Sequence, residues 1–169
     1  KAQYEAWRNM GVNAALVVVS PAGGVGQRSL LEGPGISVVT HGAGRFGTGK
    51  LLKAVSIQRA KAIVESFSPD LIYYRQSSWT PGVMSVLKLT RAVVAEINSN
   101  DTTEVHQYGW AKARYHLATR EMLVRAVDGF VCVGKDVQAV YCGYGKPVAL
   151  IGNGFDLDSV TPREIPENT

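Results

Sequence analysis

The chain has 169 residues, 46% of them hydrophobic and 19% charged, with a net charge of +4 and only two cysteines. That length suits one domain with its own core, and that composition excludes extensive disorder, a collagen-like repeat and a disulfide scaffold. No apolar stretch approaches the roughly 18 residues of a membrane span and no signal-peptide pattern opens the chain, so it reads as soluble and suited to a reducing, cytoplasmic compartment.

In chain order, KAQYEAWRNM carries Tyr4, Trp7 and Met10 at helical spacing and then meets Gly11, a good left-handed stop. NAALVVVS follows as a continuous β-branched run, the pattern of a strand buried on both faces of a parallel sheet. PAGGVGQ breaks it. ISVV, at 36–39, is a second strand, and residues 49–67 form a helix whose Ala54, Ile57, Ala60, Val64 and Phe67 make one stripe before Pro69 ends it. DLIYYR gives a third strand, PGVMSVLKLTR a short helix with Pro81 near its start, and AVVAEI a fourth strand.

After the polar loop NSNDTTEVHQ, a helix over 108–127 is expected to turn Trp110, Ala113, Leu117, Val124 and Val127 to the core. Its Lys112, Arg114, Arg120 and Arg125 are expected on a solvated face. GFVCV, a helix over DVQAVYCGYG, and VALI complete the alternation. Apolar strands separated by amphipathic helices predict a doubly wound, mostly parallel α/β sheet with helices on both faces. Strands at 36–39, 71–74, 92–96, 130–133 and 148–151 are expected in one sheet. Such folds commonly open on a central strand, which is missing here before the first helix. The polar tail DSVTPREIPENT reads as a connector.

Several motifs bear on chemistry. GRFGTGK, from Gly44 to Lys50, matches a phosphate-loop pattern, but Leu51 stands where a magnesium-binding hydroxyl belongs. A solvated glycine-rich loop is the stronger reading, and Lys50 is retained as an anion contact. PAGGVGQ follows a strand but leads into no good helix. His41, His106 and His116 make no metal spacing, neither cysteine sits in a CxxC pattern, and no G-x-S-x-G elbow occurs. No metal and no cofactor are expected. Nor is nucleic acid, since the basic residues lack interleaved aromatics.

AEINSNDTTE says most, because Glu96 and Asn98 fall where the fourth strand ends, at the edge where such sheets bind ligands. A carboxylate interrupting an apolar strand needs a partner, and Asn98 can donate and accept together, which suits sugar hydroxyls. A capping network that only ties down the loop would use the same residues. Arg75 ends the third strand at the same edge, placed either to pair with Glu96 or to meet a ligand.

DLIYYR, VVAEINSNDTTE, REMLVRAVDGFVCVGKDV and GYGKPVALIGNGFDLD, taken in order, resemble the N-terminal domain of family 4 glycosyltransferases of the GT-B fold. NGFD, at Asn153 to Asp156, resembles the turn that hands the chain to the second domain, and Gly134 and Lys135 fall in the family's usual serine region. The resemblance implies residues 1–152 as a Rossmann-like domain lacking its first strand, with 153–169 opening the interdomain linker. It implies sugar transfer from a nucleotide-sugar donor to a saccharide or lipid-linked acceptor, with retention and without metal. Arg75, Glu96, Asn98 and Glu104 are then the acceptor-side residues. The donor-binding domain and its acidic E-x7-E motif lie outside the chain, so these residues alone are expected to transfer no sugar. A cytoplasmic place with peripheral contact at the inner membrane face fits the resemblance. Two other readings stay open, a non-catalytic nucleotide- or phosphate-binding regulatory module and a GT-B sugar-nucleotide epimerase.

Overall fold

The computed structural model describes residues 2–22, 34–42 and 48–152. Helix α1 (Ala2–Asn9) leads into strand β1 (Leu16–Ala22), then β2 (Ile36–Gly42), α2 (Thr48–Phe67), β3 (Leu71–Arg75) and α3 (Pro81–Leu87). Strand β4 (Ala92–Ile97) follows, then a short helix α4 (Asp101–Glu104) extended by one 3-10 turn, α5 (Trp110–Ala126), β5 (Gly129–Cys132), α6 (Lys135–Cys142) and β6 (Val148–Leu150). Every pairing is parallel, as the alternation of strands and helices predicts.

The strands do not form one sheet among the described residues. β1 pairs with β2, and a separate four-stranded sheet runs in the order β3-β4-β5-β6. The physical reason is that, among the described residues, backbone hydrogen bonds join β1 only to β2 and β3 only to β4, so no ladder connects the two groups of strands. Helix α2 still binds the two parts, touching β1, β2 and α3.

Local chemistry explains the element ends. Gly11, at φ 81°, stops α1 in a conformation that costs other residues more. Thr80 caps α3 by accepting a hydrogen bond from the Val83 amide at 3.1 Å, with Pro81 at the first helical position. Asp128 ties the start of β5 to β4: its carboxylate accepts from the Val93 amide at 2.8 Å while its own amide donates to the Val93 carbonyl at 2.8 Å. Lys146 closes α5 by donating to the carbonyls of Val124 at 2.8 Å, Arg125 at 3.1 Å and Val127, groups that a helix end leaves without partners.

The main core lies between the four-stranded sheet and its helices. Val93, Ala95 and Ile97 of β4 meet Phe130 and Cys132 of β5, Leu123 and Val124 of α5, and Val137 and Tyr141 of α6. Helix α5 departs from the expected face. Ala113 and Val124 are buried, as is Val127 just after the helix, but Trp110 is 79% exposed and Leu117 43% exposed. The buried stripe is Ala113, His116, Arg120, Leu123 and Val124. Arg120, expected on the solvated face, is only 7% exposed. Similarly, Phe67 of α2 and Met10 beyond α1 are exposed, whereas Ile57, Ala60 and Tyr4 are buried.

Candidate functional site

The carboxyl ends of β3 and β4 lie side by side, with Arg75 in register with Glu96. Backbone pairing continues past the strand ends, since the Gln76 amide donates to the Glu96 carbonyl at 3.0 Å and the Val133 amide to the Ile97 carbonyl at 3.2 Å. The chain then turns sharply through residues 98–100 into α4. A cleft of about 230 Å³ opens at this edge, lined by Arg75, Gln76, Ile97, Asn98, Ser99 and Asp101.

Three residues singled out from sequence meet here. Arg75 and Asn98 line the cleft, and Glu96 accepts a hydrogen bond from Asn98 Nδ2 at 2.8 Å. The Arg75–Glu96 ion pair raised as one reading is absent among the described residues. Glu96 is taken by Asn98 and lies beside Tyr73, whose hydroxyl is pushed above its ordinary range by burial and, secondarily, by that carboxylate. Glu104 sits apart, exposed on α4 and outside the cleft lining. The side chain of Lys50, residues 43–47 of the glycine-rich loop, and NGFD lie outside the described residues. Gly134 and Lys135 open α6, Gly134 as its N-terminal cap. Among the described residues no cluster of His, Cys, Asp or Glu could hold a metal ion.

Behind the cleft wall stands a network that sequence reading missed. Asp101 Oδ2 accepts hydrogen bonds from Gln76 Nε2 at 3.0 Å, His116 Nε2 at 2.8 Å and Arg120 Nε at 2.8 Å. The single Tyr141 hydroxyl proton is shared between Gln76 Oε1 at 2.9 Å and Asp101 Oδ1 at 3.1 Å. Arg120 also donates to the Tyr144 hydroxyl, and its guanidinium carbon lies 4.8 Å and 5.5 Å from the ring centres of Tyr141 and Tyr144.

Burial alone would raise the Asp101 carboxyl, but the hydrogen bonds from Arg120 and His116, with the Arg120 charge, hold it below the usual carboxylate range. Burial works against the Arg120 charge too, and the bond to Asp101 more than restores it. Burial and the neighbouring Asp101 charge raise the Tyr141 hydroxyl, which therefore stays protonated and able to donate. The network joins the β3 end, the 98–101 turn, α5 and α6, so it fixes the shape of the cleft wall. Its one sequence signal was the paired spacing of His116 and Arg120, one turn apart on a helix otherwise read as amphipathic.

The cleft can orient a polar ligand through Arg75, Asn98 and Ser99, since Gln76 and Asp101 are committed to each other and to the network. Among the described residues no helix is long and apolar enough to cross a membrane. No curated protein matches the chain. The family model described as Glycosyltransferase Family 4 matches residues 3–159, which takes in every described strand and the cleft. This parallel α/β chain, with its helices flanking the sheets, therefore belongs to glycosyltransferase family 4.

Proposed function

We propose that the cleft at the carboxyl ends of β3 and β4 holds the acceptor of a glycosyltransferase that takes its sugar from a nucleotide-sugar donor and retains the anomeric configuration. The observation that carries this reading is the juxtaposition of Arg75, Asn98 and Ser99 in one open cleft at the sheet edge where doubly wound folds bind ligands. In transfer, an acceptor oxygen bonds to the anomeric carbon as the bond from that carbon to the nucleotide diphosphate breaks. The acceptor proton leaves with the diphosphate oxygen. These residues orient the attacking hydroxyl, and the charge on the departing diphosphate is met by the second domain of a GT-B enzyme.

The test is steady-state kinetics on the full-length protein over a panel of nucleotide sugars and saccharide acceptors, with the product configuration read by NMR. Asn98→Ala removes a donor and acceptor from the cleft, so acceptor KM should rise about tenfold, the equivalent of one good hydrogen bond, with donor KM little changed. Unchanged acceptor KM would remove Asn98 from the acceptor site, and an inverted product would refute retention.

A further inference from the structure

We infer that the acceptor is an anionic saccharide, one that bears a phosphate or carboxylate group, and that Arg75 binds that group. The inference rests on the acceptor-cleft reading and names the chemical class of its ligand.

The charges around the cleft carry the argument. Arg75, Glu96, Asp101 and Glu104 are the ionised side chains on β3, β4 and the turn through α4. Asp101 lines the cleft but faces Arg120 and His116, with Arg120 Nε and His116 Nε2 each at 2.8 Å, so the guanidinium answers its charge within the wall. Glu96 turns toward Asn98 and Tyr73. Glu104 is exposed and stands outside the lining. Arg75 is exposed, lines the cleft, and enters no ion pair among the described residues even though its register partner is a glutamate. Arg75 is therefore the one cation among the described lining residues, and no carboxylate holds it in an ion pair.

The type of cation matters as well. A guanidinium offers two parallel N–H donors in a fixed plane, which fit two oxygens of a phosphate or carboxylate, whereas a neutral sugar hydroxyl gains little from that geometry. Beside Arg75, Asn98 keeps its carbonyl and one N–H, and Ser99 its hydroxyl, for the uncharged part of a sugar. One end of the cleft suits an anion and the other suits hydroxyls.

The experiment is amide and arginine side-chain NMR titration of the isotope-labelled chain with glucose, glucuronate, glucose 1-phosphate, inorganic phosphate and uridine diphosphate. Glucose 1-phosphate or glucuronate should shift Arg75 Nε and the amides of Gln76, Asn98 and Ser99, with a Kd at least fivefold lower than for glucose or for phosphate alone. Arg75→Gln should raise that Kd about tenfold and Arg75→Lys less, and wild-type binding should weaken between 50 and 300 mM salt. Glucose binding as tightly as its charged relatives, with Arg75→Gln unaffected, overturns the anionic inference and leaves the acceptor cleft standing. Uridine diphosphate binding more tightly than the charged sugars at Arg75 assigns the arginine to the donor and also overturns it. Failure of every saccharide to shift the cleft residues overturns both readings.

Discussion

Asp101 accepts hydrogen bonds from side chains on three different parts of the chain, the β3 end, α5 and α6, and its loss would leave Arg120 buried without its counter-charge. Breaking one partner of a buried pair costs about 3–5 kcal/mol, far more than the same pair on a surface. Asp101→Asn should therefore lower the unfolding free energy by about that much in urea titration, and a loss under about 1 kcal/mol would show that the network bears little load. The sign of its pH dependence follows from the lowered carboxyl. Asp101 contributes stability that is fully present above its ordinary value of 3.8 and is lost as pH falls through its lower folded value. The wild-type acid limb below pH 3.8 should accordingly be steeper than that of Asp101→Asn. Residue by residue, the polar strand end was legible, because Glu96 and Asn98 interrupt an apolar run at a predicted sheet edge. The network was not, since Gln76, Asp101, Arg120 and Tyr141 are dispersed along the chain and only packing brings them together. Arg120 looked like one of several surface cations on its helix, set apart from Arg114 only by standing one turn after His116.

At the scale of elements, helix α5 shows where periodicity misleads. Its apolar residues suggested a stripe through Trp110 and Leu117, yet the helix turns His116 and Arg120 inward because the Asp101 network and the tyrosines of α6 region make a polar seat for them. Strand positions and parallel pairing were readable from the alternation alone, because continuous β-branched runs separated by helices have few other arrangements. The contact between α2 and α3 was not foreseen, and it depends on one small residue. A Cβ placed on Gly82 would come within 2.7 Å of Ile57 Cγ2, closer than side chains tolerate, and Ile57 is itself buried. Gly82→Ala should therefore destabilise by about 1–3 kcal/mol despite the better helix propensity of alanine. Pairing it with Ile57→Ala, which removes the Cγ2 methyl that the new Cβ meets, should cost less than the two single changes added together. Strict additivity in that double-mutant cycle would show that the two positions do not touch.

At the scale of the whole molecule, the buried apolar side chains among the described residues are unevenly shared. The large cluster joins β4, β5, α3, α5 and α6, whereas the β1–β2 pair contributes Val39 among the described residues, packs against α2, whose Ser56 hydroxyl donates to the Thr40 carbonyl at 3.3 Å, and is approached by Tyr4 of α1, whose hydroxyl donates to the Pro34 carbonyl at 2.5 Å. Regions with fewer buried contacts open at lower free energy, and amide exchange reports that opening directly. The two sheets share no backbone hydrogen bond among the described residues, so opening of β1–β2 leaves the β3–β6 ladder intact. Native-state hydrogen exchange should then place the amides of Val94, Ala95, Phe130 and Val131 in the slowest class, tracking global unfolding. Those of Val18, Val19, Val38 and Val39 should exchange through a smaller, denaturant-insensitive opening. Because the cleft stands on β3 and β4, it should keep its protection while β1–β2 opens, and saccharide binding should raise protection at Gln76 and Ser99 more than at Val18. Equal protection in both sheets would mean that α2 couples them into one cooperative unit, and the separate opening of β1–β2 would have to be abandoned.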